Sequence, residues 1–133
     1  MSSRASRSGR ARAARATENV PTWEDVVAIG SRFPGVEVGK SWGTPALKVK
    51  DKLICRMRTN PDALVLRVIH MGEREALLQE QPEAFFTTPH YDGYPAVLVR
   101  LEQVDPTELA ELLEEAWRLQ APKRLVAQYE TEG

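Results

Sequence analysis

From Val36 to His70 apolar residues recur at every second position, and that period constrains the fold more than any other feature of the chain. Val36 and Val38 alternate with polar neighbours. PALKVK, KLICRMR and LVLRVIH follow, separated by turn signals at Trp42-Gly43-Thr44-Pro45, Lys50-Asp51-Lys52 and Asn60-Pro61-Asp62. Short adjacent strands joined by tight turns make an antiparallel sheet, and the alternation gives it one apolar face and one polar face.

Helical spacing flanks this block. Thr22 followed by Glu24 and Asp25 reads as an N-cap with acids in the first turn. Trp23, Val26, Val27, Gly30 and Phe33 then share a face until Pro34-Gly35 stops the helix. A short acidic helix fits 73–81, Phe85-Phe86 starts a strand, and PAVLVRL at 95–101 is another. Asp105-Pro106-Thr107-Glu108 supplies an N-cap, a proline at the first helical position and a capping-box glutamate. Leu109, Leu112, Leu113, Ala116 and Trp117 form the buried stripe, with the glutamates facing water, and Pro122 ends the helix. The order implies an α+β two-layer sandwich, an antiparallel sheet of about five strands with helices on one face. Its boundaries are a disordered arginine-rich tail over 1–20, one domain over 21–127 and a C-terminal tail over 128–133.

The apolar pattern also selects a register. A two-residue Asp51-Lys52 turn would mix lysines with Leu53 and Cys55 on one face. A three-residue turn over 50–52 pairs 49 with 53, 48 with 54 and 47 with 55, which keeps the pattern intact. Leu47, Val49, Leu53, Cys55 and Met57 then face the helices, as do Leu64, Leu66, Val68, Val97, Val99 and Leu101. The open face carries Lys48, Arg56, Arg58, Arg67 and Arg100, interleaved with Ile54, Val65, Ile69 and Leu98. An ordinary solvated face mixes charge signs across strand pairs. One built of cations and aliphatics also fits a surface that meets an anion or a partner.

The formal net charge of −1 conceals a segregation. Residues 1–19 hold five arginines against Glu18, and 40–71 hold seven Lys or Arg against Asp51 and Asp62. Residues 102–119 hold six acids against Arg118. The tail reads either as a solvated segment or as a non-specific phosphate-binding arm.

The stretches SWGTPALKVKDKLICR at 41–56, PHYDGYPAVLVRL at 89–101 and LQAPKRL at 119–125 resemble the MmcQ/YjbR family. The likeness spans roughly 21–126. It implies a compact α+β fold similar to secretion-chaperone-like domains, DNA binding and no cofactor. Its motif positions are Ser41, Trp42, Gly43, Pro45, Tyr91, Pro122, Lys123 and Arg124. The chain departs at Leu47, where members often carry an aromatic, and at Asp51, where many have glycine. Structurally, Gly43 permits a tight turn and Pro45 fixes the start of a strand. Trp42 reads first as a core-capping aromatic and second as a base-stacking platform. Lys123-Arg124 follows the acidic helix where the dipole favours cations.

No catalytic site is legible. Cys55 is the one cysteine, which excludes an intramolecular disulfide, and its strand position faces the core. His70 and His90 are the only histidines, and His90-Tyr91-Asp92 lacks the spacing of a metal site. There is no phosphate-cradling glycine motif, no secretory signal and no apolar run long enough to span a membrane, so a cytoplasmic address is expected. The leading expectation is a non-enzymatic domain, monomer or homodimer, that binds DNA electrostatically through Lys48, Arg56, Arg58, Arg67, Arg100, Lys123, Arg124 and the tail. The alternative is a protein-interaction or chaperone-like module using the same face against an acidic protein partner. A third reading places a small ligand near Trp42, Tyr91 and Tyr94.

Overall fold

A computed structural model describes residues 20–59 and 62–132. The arginine tail and Asn60-Pro61 lie outside the described residues. The strands are β1 (Val36–Ser41), β2 (Thr44–Val49), β3 (Lys52–Arg58), β4 (Ala63–Arg67), β5 (Phe85–Phe86) and β6 (Ala96–Val99). They form one antiparallel sheet in the order β1-β2-β3-β4-β6-β5. The helices are α1 (Trp23–Gly30), α2 (Met71–Glu80), α3 (Pro106–Gln120) and α4 (Lys123–Glu132).

Local chemistry sets the helix ends. Thr22 and Asp25 form a reciprocal capping box on α1. Asp105 caps α3, with Pro106 at its first position. His70 Nδ1 accepts from the Glu73 amide, so α2 starts at Met71. The buried stripe of α3 is the one its periodicity predicts, and it meets Leu47, Val49, Cys55, Leu64, Leu66, Val97 and Val99 in the main core. Trp117 stacks on Phe33 and donates from its indole to the Pro34 carbonyl at 2.9 Å, fixing the approach to β1.

Several expectations are corrected. Glu108 does not face water: it is fully buried and accepts from Gln81 Nε2 at 2.8 Å, joining α3 to the end of α2. The domain boundary at 127 falls inside α4, whose Tyr129 packs edge-on against Phe33 and Trp117. Lys123 and Arg124 open that helix, so they sit in the helical layer and at the helix end where the dipole opposes cations.

The β2–β3 register differs as well. Lys50 and Asp51 both have positive φ, 50° and 67°, which makes a two-residue turn pairing Val49 with Lys52 and Lys48 with Leu53. That left-handed pair suits the right-handed twist of the flanking strands. A bulge at Ile54 then restores the expected Leu47–Cys55 pair. In consequence Ile54 turns into the main core at 2% exposure, and Leu53 turns to the opposite face.

Candidate functional site

The sheet face away from the helices is not bare. After the short strand β5, residues 87–94 run back over it, with a single 3-10 turn at Pro89–Tyr91. Tyr91 closes a second apolar cluster of Ala63, Val65, Ala96 and Leu98, with Phe86 at its edge. Val65 and Leu98, expected as outward aliphatics, are 4% and 0% exposed. Of that set only Ile69 is open to solvent.

Trp42 stands beside this cluster. Trp42 and Gly43 form the two-residue β1–β2 turn, both with positive φ, 56° and 78°. Gly43 adopts that conformation without steric cost, whereas a bulky L-residue there costs about 1–2 kcal/mol. The turn turns the indole outward, and Trp42 is 87% exposed. The core-capping reading is therefore wrong. An exposed tryptophan at a strained turn position contributes little to the core.

One arginine ties the two segments together. Arg56 donates from Nη2 to the Tyr91 hydroxyl at 2.9 Å and from Nη1 to Thr44 Oγ1 at 3.3 Å. Thr44 in turn donates to the Ser41 carbonyl at 2.8 Å. The chain Ser41–Thr44–Arg56–Tyr91 links the hairpin carrying Trp42 to the turn carrying Tyr91. Arg56 is thus a positioning residue whose hydrogen bonds are largely spoken for.

Between these segments lies a cleft made of two adjoining depressions. The inner one, about 260 Å³, is lined by Trp42, Leu53, Arg56, Val65, Arg67, His90, Tyr91, Tyr94 and Ala96. The outer one, about 480 Å³, adds Thr44, Arg58, Thr59, Thr88 and Pro89. Neither includes a carboxylate among the described residues, so the cleft holds three guanidinium groups without an acid in its wall. Arg67 Nε and Thr88 Oγ1 are buried there with no hydrogen-bond partner. An unsatisfied buried donor costs about 1–3 kcal/mol, so such atoms stand out in a folded protein. The Arg67 guanidinium lies 6.0 Å from the Tyr94 ring, and Tyr94 is itself half-exposed.

The other expected cations divide. Lys48 lies on the same sheet face but does not line the cleft. Arg100 sits over the Phe86 ring at 4.1 Å and donates to the Pro82 and Glu83 carbonyls, which fixes the β5 edge. Lys123, Arg124 and the motif residue Pro122 belong to the helical layer. The motif residues Ser41, Trp42, Gly43, Pro45 and Tyr91 converge on the cleft hairpin and its neighbouring turn. Pro45 sits one residue outside the β2–β3 ladder, which begins at Ala46–Arg56. Sequence reading missed Thr44, Thr59 and Thr88. Cys55 is fully buried, and burial pushes its thiol far above the usual range. Among the described residues no group of three or more His, Cys, Asp or Glu is placed to hold a metal, and no helix is long and apolar enough to cross a membrane.

The class is thus a two-layer α+β domain with an aromatic, cationic cleft on the sheet face away from its helices. The chain belongs to the YjbR family, whose model matches residues 31–119. It is 40% identical over 119 residues to the uncharacterized proteins Rv2570 of Mycobacterium tuberculosis and Mb2600 of Mycobacterium bovis, covering 79% of this chain and 92% of each relative. Its fold matches the crystal structure of Deinococcus radiodurans protein DR2400, a DUF419 domain, with a TM-score of 0.67 and 21% identity. That match covers 84% of this chain and 89% of the other.

Proposed function

We propose that the protein binds single-stranded nucleic acid in the cleft beside Trp42, without catalysing a reaction. The observation that carries this reading is the exposed indole of Trp42, held on a tied hairpin in a cleft that three arginines line with no acid among the described residues of its wall. Unpaired bases stack on exposed aromatic rings regardless of sequence, each contributing about 1–3 kcal/mol, while cations alongside take the phosphates. A duplex hides its ring faces, so it gains only the phosphate part of this interaction.

Charge placement narrows the electrostatics. Lys123 and Arg124 lie in the other layer, and Arg100 is engaged with Phe86 and backbone carbonyls. With about three cations near the cleft, log K should fall against log salt with a slope of about −2 on single strands. The protein-interaction alternative has less aliphatic surface to use than the sequence pattern suggests, since Ile54, Val65 and Leu98 are buried and of that set Ile69 alone is exposed.

Fluorescence anisotropy with a labelled oligothymidylate and a duplex of equal length tests the reading. Tighter binding of the single strand is expected, weakened by Arg58→Glu at the rim of the cleft. Equal affinity for strand and duplex, unchanged by Arg58→Glu, would refute it.

A further inference from the structure

The inner depression differs from the rim in one respect that bears on which base it accepts. Its floor is apolar, from Leu53, Val65 and Ala96, and two exposed aromatics, Trp42 and Tyr94, stand along it. Its volume of about 260 Å³ falls just below the range of about 300–1,000 Å³ typical of drug-sized ligands, the scale of a single base with part of its sugar. Arg67 lines this pocket, its buried Nε has no hydrogen-bond partner, and its guanidinium is held only by the Tyr94 ring 6.0 Å away among the described residues. Arg56, by contrast, already donates to Tyr91 and Thr44.

We propose that this pocket receives one unpaired base of the bound strand and that Arg67 reads its edge, favouring guanine. The proposal rests on the single-strand reading above. An arginine presents parallel N–H donors from its two terminal nitrogens, a fork that needs two adjacent acceptors. Guanine offers O6 and N7 side by side, away from the sugar. Adenine sets an amino donor next to N7, so one N–H of the fork would meet another N–H. Thymine shows a lone O4 beside its methyl group. Cytosine has an acceptor pair at O2 and N3, but O2 adjoins the sugar bond and is crowded by the backbone. The Tyr94 ring lies 6.0 Å from the Arg67 guanidinium, at the outer limit of a cation–π contact.

The full-length protein is titrated with four labelled strands: oligothymidylate, and the same strand with one central dG, dA or dC. The dG strand is expected to bind about tenfold tighter than the dA strand, as one good bidentate contact provides. Arg67→Lys keeps the charge but removes the fork. It should bring the dG strand to the affinity of the dA strand while leaving oligothymidylate within about twofold of wild type, since the phosphate contribution is retained. Equal binding of dG and dA strands overturns the inference, as does a dG preference that survives Arg67→Lys. In either case, Trp42-dependent binding of oligothymidylate leaves the single-strand reading standing. If oligothymidylate does not bind at all, both fall together.

Discussion

Replacing Trp42 by asparagine should make the protein more stable while removing its proposed function. Trp42 has φ 56°, a left-handed conformation that costs a bulky L-residue about 1–2 kcal/mol. Asparagine tolerates it far better, and Asn-Gly is the favoured pair for a two-residue hairpin turn of this kind. At 87% exposure the indole forfeits almost no burial when it is removed, whereas truncating a packed tryptophan costs about 3–5 kcal/mol. Relief of strain therefore outweighs lost contact, and Trp42→Asn should gain about 0.5–1 kcal/mol. For a domain of this size that raises Tm by about 2–5 °C. Thermal melts followed by circular dichroism and calorimetry at one protein concentration read the shift. A loss of about 2 kcal/mol or more would mean the indole is packed. The argument that an exposed tryptophan is held at strain for a ligand would then fail.

Further outcomes follow from the same contacts. Tyr91→Phe keeps the ring over the second cluster but strips the acceptor from Arg56, costing about 1 kcal/mol, whereas Tyr91→Ala uncovers Val65 and Leu98 and costs about 3–5 kcal/mol, both measured by urea melts. Burial raises the folded-state pKa of Cys55, so its contribution to stability is complete below the unfolded thiol value of about 8.5 and is lost as pH rises above it. Between about pH 8.5 and 10 stability should fall by about 1.6 kcal/mol in total from this group alone, the slope steepening toward about 1.4 kcal/mol per pH unit, and Cys55→Ala should remove that share. Reversing the helical-layer cations with Lys123→Glu and Arg124→Glu should leave strand affinity within about threefold, because they lie outside the cleft and exposed charges are screened beyond about 8–10 Å. A larger drop in anisotropy titrations would place the helical layer in the interface.

Much of the fold is legible in the sequence because burial on one face enforces alternation. Leu47, Val49, Cys55, Leu64, Leu66, Val97 and Val99 all fall where the period of two puts them. The caps at Thr22 and Asp105 are equally direct, since orphan amides need a short polar side chain there. The failures have physical causes too. Lys50-Asp51 carries no Asn-Gly signature, so the left-handed turn was invisible, and a bulge at Ile54 breaks the parity on which the reading of Leu53 and Ile54 depended. Residues 87–94 have no periodicity, so nothing in the chain announced that Tyr91 would roof Val65 and Leu98. Alternation did aim Arg56, Arg67 and Arg100 at the correct face. It could not tell that a tyrosine hydroxyl engages Arg56 and a phenyl ring engages Arg100 while Arg67 Nε is left without a partner. Trp42 was misread because large aromatics usually bury themselves, and only the turn geometry turns this one outward.

The most direct test of the account compares wild-type and Trp42→Asn full-length protein binding a labelled oligothymidylate, by anisotropy at low and moderate salt. Loss of one stacked base should weaken the variant by about 5- to 150-fold, with the salt slope nearly unchanged because the cations remain. Equal affinity of the two proteins would contradict the account and place whatever binding is seen on charge outside the cleft.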